Sequence, residues 1–366
     1  MEIDVVKTIF TQNYRSCLII KSILSPSPFR DPIFIRDQLT VGIELNLWYA
    51  KGAPRIEVKQ SKSVLHPFIV RHYKGLTINP YQGCHHRCGY CYATYEWSPE
   101  FYEKTYSKSN APEVLENQLK RWKAETIEPV MVSSATDAYQ PAEVKLELTR
   151  KCIKVLQKYN APYYIFTKST LISRDLELHK QYKDNCFLVW SITTCQEKIR
   201  RIIEPGTPPA YTMFATIKKF SDAGVRCGVN IDPIIPFVTD LPDDFEVILD
   251  YCLRAGIRHV FGAILRLRAD IWGRMKTILS LLKMTDRIHE YNRIYNIIEP
   301  LESGHNITAD GSYSKKTLEN LREMVLRKGI SFDFPALVAS KCLKNKNKEV
   351  NKLDTANQQL TLMSYM

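Results

Sequence analysis

The sequence predicts an α/β protein built from repeated strand–helix units around a parallel sheet. From Leu76 onward, six short runs of β-branched or aromatic residues alternate with stretches of helical pattern, which is the signature of such units. Apolar residues make up 45% of the 366 residues and charged residues 25%, so the composition is that of a globular protein. At roughly 100–200 residues per domain, this length allows two or three domains or one large α/β barrel with attachments.

Each predicted strand is a short run of β-branched or aromatic residues, bounded on both sides by turn or helix signals. The predicted strands are Leu76–Asn79, Val130–Ser134, Tyr163–Thr167, Phe187–Thr193, Arg226–Ile231 and His259–Leu265. The predicted helices lie at about Glu113–Glu125, Ala142–Tyr159, Arg174–Tyr182, Tyr211–Ala223, Asp243–Ala255 and Arg287–Ile298. Gly224 and Gly256 each follow a predicted helix directly, where a left-handed residue is needed to end it.

The residue pattern differs on either side of these strand–helix units, so the sequence predicts three regions. Residues 1–75 combine short alternating apolar pieces with proline and glycine, which predicts a small N-terminal β or irregular region. Residues 76–299 form the core of strand–helix units. Residues 300–366 predict a C-terminal helical extension, with a helix over Ser314–Arg327 and then a basic tail.

The charge of the chain is strongly positive. Lysine and arginine outnumber aspartate and glutamate by 51 to 39, which leaves a formal charge of +12. A surplus of this size favours anionic partners such as nucleic acid, phosphate or acidic lipid. Residues 1–75 carry +5 and residues 300–366 carry +3, against +4 on the longer core, so the flanks are expected to hold such a partner.

The sequence shows no sign of export or of a membrane segment. The N-terminal segment MEIDVVKTIF lacks the basic n-region and the apolar h-region of a secretory signal. No apolar run approaches the ~18 residues that span a bilayer. We therefore expect a cytoplasmic protein, in which disulfides are rare and clustered cysteines more often bind metal.

The most specific chemical signal is a cluster of three cysteines directly after the first strand of the core. Cys84, Cys88 and Cys91 have the spacing C-x3-C-x2-C, and three thiolates within eight residues can surround one soft metal centre. A four-iron cluster held by three cysteines keeps one iron open to a small molecule. The alternative is a structural zinc site with a histidine or a remote residue as fourth ligand, although the sequence has no second ligand pair. The other seven cysteines are scattered singly, which is typical of buried apolar cysteine.

This cysteine spacing, with an aromatic residue before the last cysteine and about six strand–helix units, resembles the radical S-adenosylmethionine (SAM) superfamily. The resemblance covers roughly residues 76–298 and implies a partial (βα)6 barrel of the TIM type. The finer resemblance is to the spore photoproduct lyase-like branch, often labelled DNA repair photolyase. The segments that carry it are INPYQGCHHRCGYCYA (78–93), SSATDAYQPAE (133–143), YIFTKSTLISRD (164–175), SITT (191–194), EPGTPP (204–209) and LRLR (265–268). They lie near predicted strand ends, where barrel enzymes assemble their active sites.

The resemblance implies two cofactors, a [4Fe-4S] cluster and SAM. Cys84, Cys88 and Cys91 would bind three of the irons, and the fourth iron would bind the methionine part of SAM. An electron from the cluster cleaves SAM to a 5′-deoxyadenosyl radical. The protein positions the two cofactors, provides charged groups and excludes water. A reducing electron donor such as a flavodoxin or ferredoxin is the implied protein partner.

Four of the implied pocket residues lie beside the cysteines or after the second strand. Tyr90 and Tyr92 flank the last cysteine and would line the SAM or substrate pocket, or else are ordinary core aromatics. Thr136 and Asp137 would lie at the height of SAM's ammonium and ribose. Their alternative is to cap the helix that follows, and both roles are compatible.

Two more implied contacts end the next two strands. Lys168 ends the third strand and would pair with SAM's carboxylate as a point charge. Ser191 on the fourth strand matches a hydroxyl that contacts SAM in spore photoproduct lyase. The alternative for each is a plain exposed or hydrogen-bonded residue.

The chain departs from the spore photoproduct lyase pattern at one position. That family has a hydrogen-donating cysteine three residues before the aspartate that corresponds to Asp137, whereas this chain has Ser134. A serine O–H bond is too strong to donate a hydrogen atom readily to a carbon radical. Cys195 is a candidate thiyl donor, with a buried structural cysteine as the alternative.

The sequence therefore predicts a radical SAM enzyme that acts on DNA or RNA, in repair or modification. Arg200 with Arg201, and Arg266 with Arg268, are candidates for phosphate contacts, although no nucleic-acid reading motif accompanies them. One alternative is the same radical chemistry on a peptide or small metabolite, because fold does not determine substrate. The other is a non-enzymatic, zinc-stabilised nucleic-acid-binding protein.

Overall fold

A computed structural model describes residues 55–70, 73–94, 99–301 and 306–343. Its strands are β1 (Arg55–Lys59), β2 (Leu65–Val70), β3 (Tyr73–Ile78), β4 (Tyr81–Gln82), β5 (Lys104–Lys108), β6 (Thr126–Ile127), β7 (Val130–Val132), β8 (Tyr163–Thr167), β9 (Cys186–Ser191), β10 (Cys227–Ile234), β11 (His259–Ile264), β12 (Arg266–Leu267), β13 (Ile307–Thr308), β14 (Ser331–Phe332) and β15 (Ser340–Lys341). Its α-helices are α1 (Ala111–Lys120), α2 (Glu143–Leu146), α3 (Leu148–Lys158), α4 (Leu176–Lys180), α5 (Glu197–Ile203), α6 (Ala210–Asp222), α7 (Pro242–Arg254), α8 (Ala269–Leu281), α9 (Ile288–Ile294) and α10 (Gly311–Arg327). Short 3₁₀ helices lie at Tyr92–Thr94, Pro99–Tyr102, Leu171–Asp175 and Thr285–Arg287.

Eight strands form the main sheet, in the order β14, β11, β10, β9, β8, β7, β3, β2. All neighbours pair in parallel except β2 and β3, which form an antiparallel ladder. Strands β3 and β7 to β11 follow one another both along the chain and across the sheet. These six strands form the predicted partial barrel, and their carboxyl ends lie along one edge.

A second sheet of three strands, in the order β1, β5, β4, leads into the cysteine segment. Strand β5 pairs in parallel with β1 and antiparallel with β4. Because β4 ends at Gln82, this small sheet fixes the chain immediately before the first cysteine of the cluster.

The two faces of the barrel strands bury different sets of residues. In β8, Tyr163 and Ile165 belong to the main core beneath the helices, whereas Tyr164 and Phe166 belong to a separate cluster inside the barrel. This alternation follows from the two-residue period of a strand. We call the space inside the barrel the lumen. Toward the carboxyl ends, polar residues occupy the lumen-facing positions, which include Lys168, Ser191 and Asn230.

All six predicted strands of the core are present, and β8 has the predicted bounds. Two strands of the main sheet are missing from the prediction. Strand β2 contains Pro67, which argues against a strand unless it lies at a sheet edge, and β2 is such an edge. Strand β14 is only two residues long and carries no periodic signal.

The helix predictions are wrong in two respects. The predicted helix Ala142–Tyr159 is divided into α2 and α3, because Glu147 between them has a left-handed φ of 51°. Helices α5 and α8 are missing from the prediction. Helix α5 has only seven residues, but α8 buries Ile271, Trp272, Met275, Ile278 and Leu279, a helical spacing that the sequence does display.

The predicted end regions lie partly outside the described residues. Residues 1–54 of the N-terminal region and residues 344–366 of the basic tail are not among them, so the division at residues 75 and 299 stays a prediction. The C-terminal helix predicted at Ser314–Arg327 is α10. No helix in the described part of the chain is long and apolar enough to cross a membrane.

A buried carboxylate anchors the chain just ahead of the cysteine segment. Glu143, the first residue of α2, is fully buried. Its Oε2 accepts hydrogen bonds from the Tyr81 hydroxyl and, at 3.0 Å, from the Thr149 N–H. Its Oε1 accepts from Arg174 Nη2 and from the Arg150 N–H, each at 3.1 Å. Because Tyr81 lies in β4, this network ties the small sheet to the helices of the barrel.

We expect Glu143→Ala to lower the free energy of unfolding by about 3 kcal/mol, because buried donors and Arg174 lose their partner. The matched control is Glu147→Ala. Glu147 also pairs with Arg150 and Arg174, but its side chain is 38% exposed, so a change below about 1 kcal/mol is expected. Urea unfolding followed by circular dichroism measures both values, and equal losses would contradict the role given to Glu143.

Candidate active site

The cysteine segment forms a tight loop between β4 and the 3₁₀ helix Tyr92–Thr94. The loop begins at Gly83, which has a φ of 88°, and a Cβ there would collide with the Lys104 carbonyl. Cys88 is buried, and Cys84 and Cys91 are half-buried. One loop therefore presents three thiols at the carboxyl edge of the sheet.

The environment of the thiols fits a cluster of several metal ions. Burial raises the pKa of the Cys84 and Cys88 thiols, and Asp137 and Glu204, respectively, raise them further. Cys91 lies close enough to both to add to this effect, and a bound cation would stabilise all three as thiolates. Among the described residues, no three His, Cys, Asp or Glu side chains meet at one point as ligands of a single metal ion. A [4Fe-4S] cluster binds each cysteine at a different iron, so the spread of these thiols is compatible with it.

Gln140 fixes the first half of the loop from the barrel. Its side chain is fully buried, its Nε2 donates to the Gly83 carbonyl at 3.1 Å, and its Oε1 accepts from the His85 N–H at 3.2 Å. An amide can do this because it carries both donors and an acceptor. The two contacts lie on either side of Cys84, so Gln140 holds the backbone of this cysteine in place.

The second half of the loop is fixed by the segment around the end of α5 and by α8. The Gly89 N–H donates to the Ile203 carbonyl at 2.9 Å, and the Gly206 N–H donates to the His86 carbonyl at 3.0 Å. From α8, Arg274 donates through Nε to the Gly89 carbonyl at 2.7 Å. The barrel itself therefore sets the shape of the loop.

Arg274 and Tyr102 also hold the carbonyls of the last two cysteines. Arg274 Nη2 donates to the Cys91 carbonyl at 3.2 Å, and the Tyr102 hydroxyl donates to the Cys88 carbonyl at 2.7 Å. The guanidinium of Arg274 lies 5.7 Å from the centre of the Tyr102 ring, so the two side chains also support each other.

A buried ion pair lies between the loop and the lumen. Lys168 directly follows β8 and donates through Nζ to Glu204 Oε1 and to the Ser191 carbonyl, both at 3.0 Å. The Tyr90 hydroxyl donates to the same carboxylate, and Lys168 Nζ lies 5.7 Å from the Tyr90 ring centre. The side chain of Glu204 is 1% exposed and that of Lys168 is 12% exposed. Tyr90, Lys168 and Glu204 thus form one hydrogen-bonded unit near Cys88.

The ion pair outweighs the effect of burial on both groups. Burial lowers the pKa of Lys168, but the charge of Glu204 and then that of Cys88 raise it, so the net shift is upward. Burial raises the pKa of Glu204, but Lys168, Thr193 and Tyr90 lower it to below its ordinary value. Both groups are charged at neutral pH. Their contribution to stability is lost as pH falls through the lowered pKa of Glu204, or rises through the raised pKa of Lys168.

Asp137 is engaged by neighbouring parts of the chain. Its Oδ1 accepts from the Tyr139 N–H and from the Thr167 hydroxyl, both at 2.8 Å, and its Oδ2 accepts from the Lys168 N–H at 2.7 Å. The alternative role as a helix cap is wrong, because α2 begins after Ala142 and no side chain caps it. Asp137 instead forms a turn and joins the loops after β7 and β8.

Thr136 lies next to Asp137 but is not engaged in the same way. Its hydroxyl is buried and has no hydrogen-bond partner among the described residues. A buried hydroxyl is normally paired, so this group is available to a bound ligand.

The remaining predicted contacts lie around the same opening. Tyr92 is 45% exposed, and its hydroxyl donates to the Ser134 carbonyl. Ser191 is the half-buried last residue of β9 and pairs in register with Asn230 of β10. The structure brings Ser191 together with Lys168, and it places Tyr92 beside Ser134.

The two candidate hydrogen donors have different surroundings. The Ser134 hydroxyl is hydrogen-bonded to Thr77 Oγ1 at 2.9 Å and to Asn79 Nδ2 at 3.2 Å. Cys195 is half-buried and packs against the main core. Burial, with smaller contributions from Glu197 and Asp244, raises the pKa of Cys195 to about 12, so it is a protonated thiol at neutral pH.

Sequence reasoning missed three residues that shape the site, namely Gln140, Glu204 and Arg274. Gln140 and Glu204 lie in the segments SSATDAYQPAE and EPGTPP, so the motif residues themselves were the available signal. Arg274 lies in α8, a helix absent from the predicted elements, and no motif marks it.

Comparison with known proteins identifies the family. The family model described as the radical SAM superfamily matches residues 78–252. The chain belongs to the radical SAM superfamily. An uncharacterised protein of Mycobacterium tuberculosis is 32% identical over 203 residues, which are 52% of this radical SAM chain and 59% of that protein. An uncharacterised protein of Acidianus two-tailed virus is 30% identical over 224 residues, which are 57% of this chain and 72% of that protein. The chain thus spans less than two thirds of the mycobacterial relative.

A solved structure of spore photoproduct lyase shares the fold of this chain. That structure, complexed with dinucleoside spore photoproduct, has a TM-score of 0.60 and 13% sequence identity. The match covers 76% of this chain and 81% of that one, which confirms the predicted partial barrel. Radical SAM enzymes use a [4Fe-4S] cluster and SAM, so the predicted cofactors are confirmed at the level of the family.

We expect Gln140→Leu to weaken iron binding about tenfold, because the variant removes both side-chain contacts that hold the backbone around Cys84. Competition with an iron chelator, followed by the visible absorbance of the cluster, measures this change.

Gln118→Leu is the matched control. Gln118 lies in α1 and accepts from the backbone N–H groups of Val64 and Leu65 at 2.9 and 3.0 Å, so it makes similar contacts away from the cysteines. Equal loss of iron from both variants would contradict a specific role for Gln140.

Proposed function

We propose that this radical SAM enzyme acts on nucleic acid, in repair or modification, and that the reaction begins with hydrogen abstraction from the substrate. The proposal is carried by one observation, the shared carboxyl edge of the strands. Three thiols, the Lys168–Glu204 pair and Ser191 lie along this edge, in a fold similar to that of spore photoproduct lyase. The formal charge of +12 supports an anionic substrate.

The chain's own residues fit the two cofactors. We assign Cys84, Cys88 and Cys91 as ligands of three irons of the cluster. When bound, the two cofactors supply the 5′-deoxyadenosyl radical that abstracts the hydrogen atom. The part of the protein is to hold the loop, to place charge beside it and to exclude water.

Lys168 is our assigned contact for SAM's carboxylate, with Ser191 beside it. An ammonium group has three N–H donors, and Glu204 and the Ser191 carbonyl engage two of them at 3.0 Å. The third points toward Thr193 at a long 3.4 Å and is the donor that a carboxylate would take.

The other implied contacts divide into two roles. Asp137 and Tyr90 act through Lys168, because Asp137 accepts its backbone N–H and Tyr90 binds its partner Glu204. Thr136 and Tyr92 are assigned to the ligand itself, since the Thr136 hydroxyl is unpaired among the described residues and Tyr92 is 45% exposed.

The proposed reaction does not return a hydrogen atom from residue 134. The Ser134 O–H bond is too strong for that step, and Thr77 and Asn79 engage the hydroxyl. A repair reaction would therefore need another donor, and a modification reaction would need none at this position.

The rim of the barrel offers a cation for phosphate. Arg266 lies in β12, just beyond the carboxyl end of β11, and is half-buried. Its backbone pairs with Thr308 of β13, but no hydrogen bond or ion pair joins its side chain to the residues that the structure describes. Arg268, in contrast, is buried and donates through Nε to Asn306 Oδ1 at 2.7 Å. We therefore assign Arg266 to the substrate and Arg268 to the support of the rim.

Single variants test the cluster ligands. Cys84→Ala, Cys88→Ala and Cys91→Ala are each expected to lose the cluster after anaerobic reconstitution, because each removes one of three ligands. Cys195→Ala is the matched control and is expected to retain it. Iron content, visible absorbance and 5′-deoxyadenosine formation from SAM are measured. Full iron content in any of the first three variants would refute that ligand, and uptake of zinc by the wild type would favour the zinc-stabilised binding protein.

Salt dependence tests the nucleic-acid substrate. We expect the DNA or RNA affinity of the wild-type chain to fall steeply with salt, because phosphate contacts release counterions. Arg266→Gln should reduce the slope of log affinity against log salt by about one. Arg254→Gln is the control, since Arg254 ends α7 at the opposite end of the barrel and should leave the slope unchanged. A flat response of the wild type would instead favour a peptide or a small metabolite.

A further inference from the structure

The lumen contains three half-buried phenylalanine rings that the cofactor site does not use. Phe166 lies in β8, Phe261 in β11, and Phe334 follows β14. The ring of Phe334 has its centre 5.9 Å from that of Phe166 and 5.2 Å from that of Phe261, and these two are 6.3 Å apart. We call these three rings the aromatic floor. Their neighbours Tyr164 and Phe187 are fully buried, whereas each floor ring keeps part of its surface open.

Phe334 reaches the lumen on a segment that crosses the amino-terminal end of the barrel. We call this segment, residues 331–343, the strap. It begins with β14, which adds to the edge of the sheet at β11, and it ends with β15, which pairs with β6 next to β7. Between them Asp333 pairs with His259 Nδ1 at 2.8 Å, and the Pro335 carbonyl accepts from the Tyr164 hydroxyl at 3.2 Å. The strap thus crosses the amino end of the barrel, and Phe166 and Phe261 lie further along β8 and β11 toward the carboxyl ends.

Polar side chains lie above Phe166 and level with Phe261. Lys168 is the next lumen-facing residue after Phe166 in the same strand direction. Phe261 pairs in register with Asn230, which in turn pairs with Ser191. The Nδ2 of Asn230 makes a long contact of 3.5 Å with Asp232 Oδ2, so its amide still offers a second N–H donor and the Oδ1 acceptor. The lumen therefore combines an aromatic surface at its base with hydrogen-bonding groups at the edge of that surface.

We propose that the aromatic floor binds the flat ring of a nucleobase, with Asn230 contacting the polar edge of the base. This inference rests on the proposed action on nucleic acid and names the part of the substrate that enters the barrel. Aromatic side chains bind any base through its ring face, and an enzyme that acts on a base must first take it out of the stack. An aliphatic substrate would gain no stacking from three phenylalanine rings, so their identity favours a planar ring.

Fluorescence of a modified oligonucleotide tests the floor in the full chain. The probe is a single-stranded oligodeoxynucleotide with one 2-aminopurine, whose emission falls when the base stacks. Phe261→Leu and Phe166→Leu keep apolar bulk but remove a ring. We expect each to abolish most of the quench and to weaken binding about tenfold.

Two further variants separate stacking from a loss of structure. Phe332→Leu changes the same strap two residues before Phe334, but Phe332 packs against the main core and not in the lumen, so wild-type quench and affinity are expected. Phe261→Tyr keeps a ring and should restore the quench that Phe261→Leu loses. Circular dichroism of every variant confirms the fold.

The outcomes distinguish this inference from the proposed function. If Phe261→Leu and Phe332→Leu showed equal fluorescence quench and equal affinity, base stacking on the aromatic floor would be refuted. The proposed nucleic-acid substrate would not be affected by that result. Failure of the wild type to bind any oligonucleotide at low salt would overturn both. Binding of a tryptophan-containing peptide that the Leu variants lose, without oligonucleotide binding, would assign the floor to a peptide side chain and overturn the nucleobase.

Discussion

The parallel pairing of β3 and β7 to β11 is the constraint on which the rest of the structure depends. When neighbouring strands run in the same direction, all their carboxyl ends lie at one edge, and each crossover helix returns the chain to the opposite edge. Residues far apart in sequence, such as Cys88, Lys168 and Ser191, therefore meet without any long loop. The antiparallel strand β2 lies at the edge of the sheet, where it does not interrupt this arrangement.

The charges buried around this edge fix loops more than they stabilise the protein. A buried ion pair recovers little beyond its cost of desolvation, so its net contribution to folding is small even when its removal is destabilising. Each buried carboxylate nevertheless binds a separate part of the chain. Asp137 accepts the Lys168 N–H, and Glu143 accepts the Tyr81 hydroxyl and the Thr149 N–H. Glu204 binds Tyr90 and Lys168 together. These carboxylates thus determine where the loops after the strands lie.

The sequence predicts features that depend on short spacings and misses those that depend on distant contacts. Runs of a few residues are enough to predict the six strands, and a segment of eight residues is enough to predict the group of three cysteines. The contact of Gln140 with Gly83 joins positions 57 apart, and no local pattern reveals it. The same applies to Arg274, which binds the Gly89 carbonyl from a helix 185 residues later. The break at Glu147 escaped prediction because a left-handed φ at a non-glycine residue has no reliable sequence signal.

The two ends of the barrel are closed by different kinds of contact. At the carboxyl end, hydrogen bonds from Gln140 and Arg274 hold the cysteine loop. At the amino end, Phe334 of the strap packs against four aromatic rings of the lumen. Side chains that pack against one another in this way exclude water, and a reactive radical inside a barrel has to be shielded from water. In the proposed reaction the substrate therefore approaches from the carboxyl end, past the rim where Arg266 lies. Under the proposed function, the thiols, the ion pair and the rim arginine act on the same entering molecule, so that a single opening combines radical chemistry with recognition of an anionic chain.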